Sequence, residues 1–276
     1  MALPPQPSGG LNPAAFFAEI GGLPFIAPGF RPPILMAAVA AVRHNADPQA
    51  FPRLGDYLVP GNAAEIYQRR SRSPIQEIRA DDMPPERVTE VLACRARVRE
   101  LFPEWESLLA VPIRYMSLHD SRISATNILV PQTIYFGESA FRSTAFPLEE
   151  SLVHEFAHVW LNFVTETFDL ETDDSPRDLV LPSGTRGKTL RGVLVAAHFA
   201  ATATIFYSRY DDTPLARSRS EYLYDYLLGC LRITRDHPSL TRMGRIVWQA
   251  LDEYSRQPHR RAESEPVPAT RSHGVE

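Results

Sequence analysis

The chain is poor in the residues that staple or anchor a protein. It has two cysteines, Cys94 and Cys230, in 276 residues. Two thiols cannot build a disulfide framework or a cysteine metal cluster, and both fall in helix-like apolar patterns, so they read as buried thiols. No run of about 18 apolar residues without charge is present, which predicts no membrane span. The N-terminal residues lack the basic region and long apolar core of a secretory signal, leaving the cytoplasm as the default location. No long basic run exists and the formal net charge is −4, so no nucleic-acid partner is indicated. No internal repeat is visible.

What remains is a globular balance, 44% hydrophobic and 22% charged, with 25 prolines, many of them near the two ends. The length suits one large domain or two small ones. The pattern predicts a flexible Pro-, Gly- and Ser-rich segment at 1–10, a single domain over 11–255, and a disordered tail at 256–276. Apolar positions at helical spacing predict helices over 13–20, 33–43, 86–102, 148–164, 189–210, 214–232 and from Ser239 or Thr241 to Tyr254. A shorter period predicts strands at 111–118, 127–130 and 133–136. The expected fold is therefore α+β and predominantly helical, with a small β-sheet packed beside the helix that starts at Leu148.

That helix carries Leu152-Val153-His154-Glu155-Phe156-Ala157-His158-Val159-Trp160, an H-E-x-x-H sequence within an apolar run. Histidines four apart share one helix face, roughly 40° apart around the axis, so both imidazoles can reach one metal ion. Glu155 can then touch a metal-bound water without being a ligand. The alternative is two core histidines satisfied by hydrogen bonds. A polar insertion in a buried helix needs a reason in either case.

The 189–210 helix is almost wholly apolar, and His198 is its exception together with Thr202. A lone histidine there is either a satisfied core residue or the third ligand that His154 and His158 lack. Between the two helices, 165–187 is polar and irregular, a solvated connection or a lid over the site. His119, at the end of the first strand, is a surface residue or a reserve ligand.

Leu148-Glu149-Glu150-Ser151-Leu152-Val153-His154-Glu155-Phe156-Ala157-His158, followed by Leu190-Arg191-Gly192-Val193-Leu194-Val195-Ala196-Ala197-His198, resembles the HExxH proteins of peptide-modification gene clusters. Those proteins are similar to iron(II)- and 2-oxoglutarate-dependent enzymes that hydroxylate a side-chain β-carbon in a ribosomally made peptide. The resemblance spans residues 110–250. It implies iron(II) held by His154, His158 and His198, and 2-oxoglutarate as cosubstrate. It also implies a peptide partner, a ribosomally made precursor among the candidates, and a Glu155 that orients water or a ligand imidazole. The distal carboxylate of the cosubstrate needs a cation, for which Arg191 is the first choice and Lys188 and Arg186 the alternatives. Many members carry Trp-Arg and Arg-Pro-Leu before the second helix, whereas this chain has Thr185-Arg186-Gly187-Lys188-Thr189-Leu190-Arg191.

The competing expectation is a zinc (Zn2+) metallopeptidase with Glu155 as general base. Leu161 and Val164 stand where the longer H-E-x-x-H-x-x-G-x-x-H pattern needs Gly and His, so that pattern is absent. A third class is a non-catalytic peptide-binding protein with a relic site.

Overall fold

A computed structural model describes residues 12–70, 78–143, 147–211 and 213–257. The segment expected to be flexible at 1–10, and the expected tail beyond residue 257, lie outside the described residues. In chain order the elements are α1 (Pro13–Glu19), α2 (Pro32–Ala46), α3 (Pro60–Arg70), β1 (Ala80–Asp82), α4 (Pro85–Leu101), α5 (Glu106–Leu109), β2 (Arg114–Leu118), β3 (Ser124–Asn127), β4 (Val130–Phe136), α6 (Glu138–Arg142), α7 (Leu148–Thr167), α8 (Leu190–Tyr210), α9 (Pro214–Thr234) and α10 (Arg242–Arg256). The fold is mixed α+β and predominantly helical, with one small open sheet.

Helix starts follow local chemistry. Thr189, Thr213 and Thr241 cap α8, α9 and α10, each side chain accepting from the backbone N–H three residues on. Prolines occupy the first turn of α1, α2, α4 and α9, where their missing N–H costs nothing. α7 begins after Pro147 without a side-chain cap, but Glu149 and Glu150 lie in its first turn, where the helix dipole favours negative charge.

The sheet order is β1-β2-β4-β3. β2 and β4 are parallel, while β1 on β2 and β3 on β4 are antiparallel. β4 is buried from Pro131 to Phe136, with Gln132 and Thr133 the polar residues in that stretch. β3 is the outer strand and packs on α7. The 127–130 strand expectation is corrected here: Asn127 ends β3, Val130 starts β4, and Ile128 and Leu129 make the turn between them. The Asn127 side chain accepts from the Leu129 N–H at 3.0 Å, a local bond that outcompetes continued extension.

α7 is the hub of the core and touches α2, α4, α8, β3 and β4. Its Leu152, Val153, Phe156, Ala157, Trp160, Leu161 and Val164 are buried, and the Trp160 indole donates to the Leu108 carbonyl at 2.8 Å. The helix runs three residues past the expected end at 164, so Thr165 and Glu166 are helical and buried rather than loop residues. α8 is long and apolar enough to cross a membrane by length and composition, yet 78% of that window is buried in the structure, as in a core helix. The polar segment after α7 is tied back to the α10 entry: Thr241 donates to the Leu170 carbonyl at 3.1 Å, and Glu171 bridges to Leu240.

Candidate metal centre

His154 and His158 lie one turn apart on α7, half-buried among buried neighbours. Their Nε2 atoms approach to 2.8 Å. The Phe199 ring of α8 stacks on His154, with centroids 3.6 Å apart and planes 19° from parallel. Burial holds His154 down to about 3, and the nearby Arg219 charge adds to that. His158 is held well below the usual imidazole range by burial, and then by the charges of His154, His198 and Lys188. Both rings are thus neutral near pH 7, the form whose ring nitrogen can bind a metal.

Glu155 is 1% exposed and faces the sheet. Ser124 and Thr126, two apart and so on one face of β3, hydrogen-bond its carboxylate. Burial pushes Glu155 up to about 7 against those hydroxyls and the Arg122 charge. Its Oε2 is buried without a hydrogen-bond partner, as is Nδ1 of His158. Each such group costs about 1–3 kcal/mol to leave unpaired.

His198 sits at the centre of α8, fully buried, with Nε2 bonded to the Pro24 carbonyl at 2.9 Å. Burial lowers it to about 4, partly offset by the Pro24 and Ala157 backbones. It therefore lies on the helix next to the motif but engages the loop after α1. Among the described residues no group of three or more His, Cys, Asp or Glu side chains forms a metal-ligand set. His119 is a surface residue paired with Asp81 at 2.9 Å.

The three basic candidates separate. Arg186 is exposed, and Lys188 is half-buried with its charge felt by His158. Arg191 leans the other way: its charge acts on Asp169 and Tyr67, and its backbone N–H donates to Glu171 at 2.9 Å.

Three features escaped the sequence reading. The β3 hydroxyls of Ser124 and Thr126 reach Glu155 through tertiary packing. Glu150, one turn before His154, is 3% exposed and accepts from Tyr207 of α8 and from Arg219 of α9. Glu150 stands at i−4 from the first motif histidine, and that spacing was the available signal. Glu166, three turns after Glu155, pairs with Arg43 of α2 at 2.7 Å.

The chemistry of the histidine pair fits a borderline metal such as iron(II) or zinc: two neutral imidazoles bring their Nε2 atoms together, while Glu155, next in sequence to His154, is held toward β3. The protein-family models give no match to the chain, and neither do the curated proteins.

Proposed function

We propose that the protein is an iron(II)- and 2-oxoglutarate-dependent enzyme that hydroxylates a side-chain β-carbon of a residue in a peptide. The observation that carries this reading is the convergence of two neutral imidazoles at 2.8 Å beside the Lys188 charge. Such a site offers a metal two nitrogen donors and offers an anionic cosubstrate a cation. His154 and His158 hold the metal. His198 joins them if its Nε2 exchanges the Pro24 carbonyl for the ion. Bound iron(II), with a 2-oxo acid and dioxygen, supplies the oxidising power that converts C–H to C–OH as the 2-oxo acid becomes succinate and carbon dioxide.

The rest is the work of the chain. Lys188 replaces Arg191 as the first choice for the cosubstrate carboxylate, because the Arg191 charge acts on Asp169 and Tyr67 while that of Lys188 acts on His158. Phe199 walls one face of His154 and keeps water from it. Glu155, fixed by Ser124 and Thr126, orients groups at the metal rather than ligating it. β3 is the last strand of the sheet among the described residues, and an extended peptide would pair along its outer edge.

One observation favours the zinc peptidase instead. A Glu155 raised to about 7, with Oε2 unpartnered, suits a general base acting on water. The two readings part in one experiment. Anaerobic reconstitution with iron(II) followed by 2-oxoglutarate is expected to give a weak visible charge-transfer band. Oxygen and a candidate peptide are then expected to give succinate and a product heavier by about 16 Da, one oxygen atom. No 2-oxoglutarate binding, together with peptide cleavage by the zinc form that is lost in Glu155→Gln, would establish the peptidase.

A further inference from the structure

α4 turns two arginines away from the core and into one hollow. Leu92, Arg95, Ala96 and Arg99 recur at i, i+3, i+4 and i+7 and share a face, while Val91, Cys94 and Val98 are buried in the core. With Glu106 and Leu109 of α5 that face lines a cavity of about 240 Å³. None of these residues belongs to the histidine pair, and the proposed reaction uses none of them.

The cavity sets charge beside apolar surface. Leu92 is 41% exposed, a large apolar side chain left in solvent at the cavity wall, and Ala96 and Leu109 continue that wall. Arg95 is half-buried, and among the described residues no carboxylate pairs with it. Its charge acts on the buried Tyr115 hydroxyl of β2, in a contact too poor in geometry to count as a full hydrogen bond. A guanidinium carries five N–H donors in a rigid fork, and one phenolic oxygen occupies only part of that set. Arg99 meets Glu106 at 3.8 Å, with side chains 55% and 68% exposed. A pair that long and that solvated is worth little and gives way easily. Arg95 and Arg99 against Glu106 leave the lining one positive charge in excess, the complement of a single negative charge. A dianion would meet Glu106 as well as the arginines.

We infer that this hollow is a second binding site, for a monocarboxylate that carries an apolar body. The carboxylate meets Arg95 and Arg99, whose planar forks suit such a group, and the body lies on Leu92, Ala96 and Leu109. A free acid with a small apolar tail and a peptide ending in an apolar residue present this same chemistry. The site depends neither on a metal nor on the proposed reaction.

The test uses the metal-free full chain, with binding followed by the line broadening of ligand proton signals. The probes are 3-phenylpropionate, its neutral amide 3-phenylpropanamide, N-acetyl-alanyl-leucine with a free C-terminus, and inorganic phosphate. The wild type is expected to bind 3-phenylpropionate about tenfold tighter than the amide, as charge-assisted bonds replace neutral ones. Arg95→Met/Arg99→Met is expected to lose that preference. Leu92→Glu keeps both arginines and adds a negative charge to the wall; it is expected to weaken the acid about tenfold and the amide far less. Tighter binding of 3-phenylpropionate than of the acetyl dipeptide supports the site with a free acid as its ligand, and the reverse order supports it with a peptide end. A wild type that binds neither carboxylate, or that binds acid and amide alike, overturns the inference. So do a double variant that keeps the preference and a Leu92→Glu that weakens acid and amide equally. Phosphate bound more tightly than either carboxylate makes this a dianion site and overturns the inference as well.

Discussion

Two polar clusters lie on one helix, and they differ in how completely they are satisfied. Toward the C-terminal end of α7, Glu166 and Arg43 are each 1% exposed and joined by two bonds, at 2.7 and 2.8 Å. The third arm of Arg43 donates to the Tyr57 carbonyl at 2.9 Å and to Gln132 at 2.6 Å. Gln132 in turn donates to the Leu58 and Pro112 carbonyls at 2.7 and 2.9 Å. In the middle of α7, by contrast, His154 and His158 face each other, and Glu155 Oε2 and His158 Nδ1 have no partner. A satisfied buried network is architecture. An unsatisfied one is held in place by the rest of the fold, and the proposed metal would complete it.

The largest effect should come from breaking the satisfied cluster. Glu166→Ala strands a buried guanidinium and is expected to cost about 3–5 kcal/mol in urea unfolding, whereas Arg43→Met/Glu166→Leu should recover most of that. A single variant as stable as wild type would erase the distinction between the clusters. Gly137→Ala probes the strand that holds Glu155. A Cβ there would stand 2.0 Å from the Arg122 carbonyl oxygen, so the entry to β3 must move. A loss of about 1–3 kcal/mol is expected, with weaker metal binding as Ser124 shifts from Glu155.

The motif also predicts a pH dependence for the metal-free protein. Folding lowers His154 to about 3 and His198 to about 4, from an ordinary 6.5, and lowers His158 as well. The unfolded chain therefore binds more protons on these groups, and their stabilisation is lost as pH falls below 6.5. Glu155 opposes them: raised to about 7 from 4.5, it contributes stability at low pH that is lost as pH rises through that window. Three histidines outweigh one carboxylate, so the urea midpoint is expected to rise between pH 4.5 and 6.5, and to rise more steeply in Glu155→Gln. An unchanged slope in that variant would mean that Glu155 does not titrate as described. The smallest effect belongs to His154→Ala or His158→Ala without metal. Their rings are half-buried and imperfectly partnered, so unfolding should shift by no more than about 1 kcal/mol.

Much of this fold was readable locally, because caps and periodicity are local. Thr241 capping α10 and Pro85 opening α4 are examples, and H-E-x-x-H marked α7 as the helix to watch. β1 was missed because Ala80-Asp81-Asp82 carries no strand signal; its place is set by pairing with β2. Glu166 was taken for a loop acid because its partner Arg43 is 123 residues away in the chain. The engagement of His198 with Pro24, 174 residues distant, is equally invisible to local pattern. Arg219 lay unremarked in an amphipathic helix, since its partner Glu150 is 69 residues away in the chain.

The central claim is that the unsatisfied cluster is a metal site, and equilibrium binding of zinc and iron(II) to the metal-free full chain tests it most directly. One ion per chain is expected. His154→Ala and His158→Ala should weaken binding by more than the roughly 10–100-fold that outer-shell changes cost, while Arg43→Met/Glu166→Leu leaves it unchanged. A folded wild type that binds neither ion, or that binds as tightly without either histidine, would contradict the account.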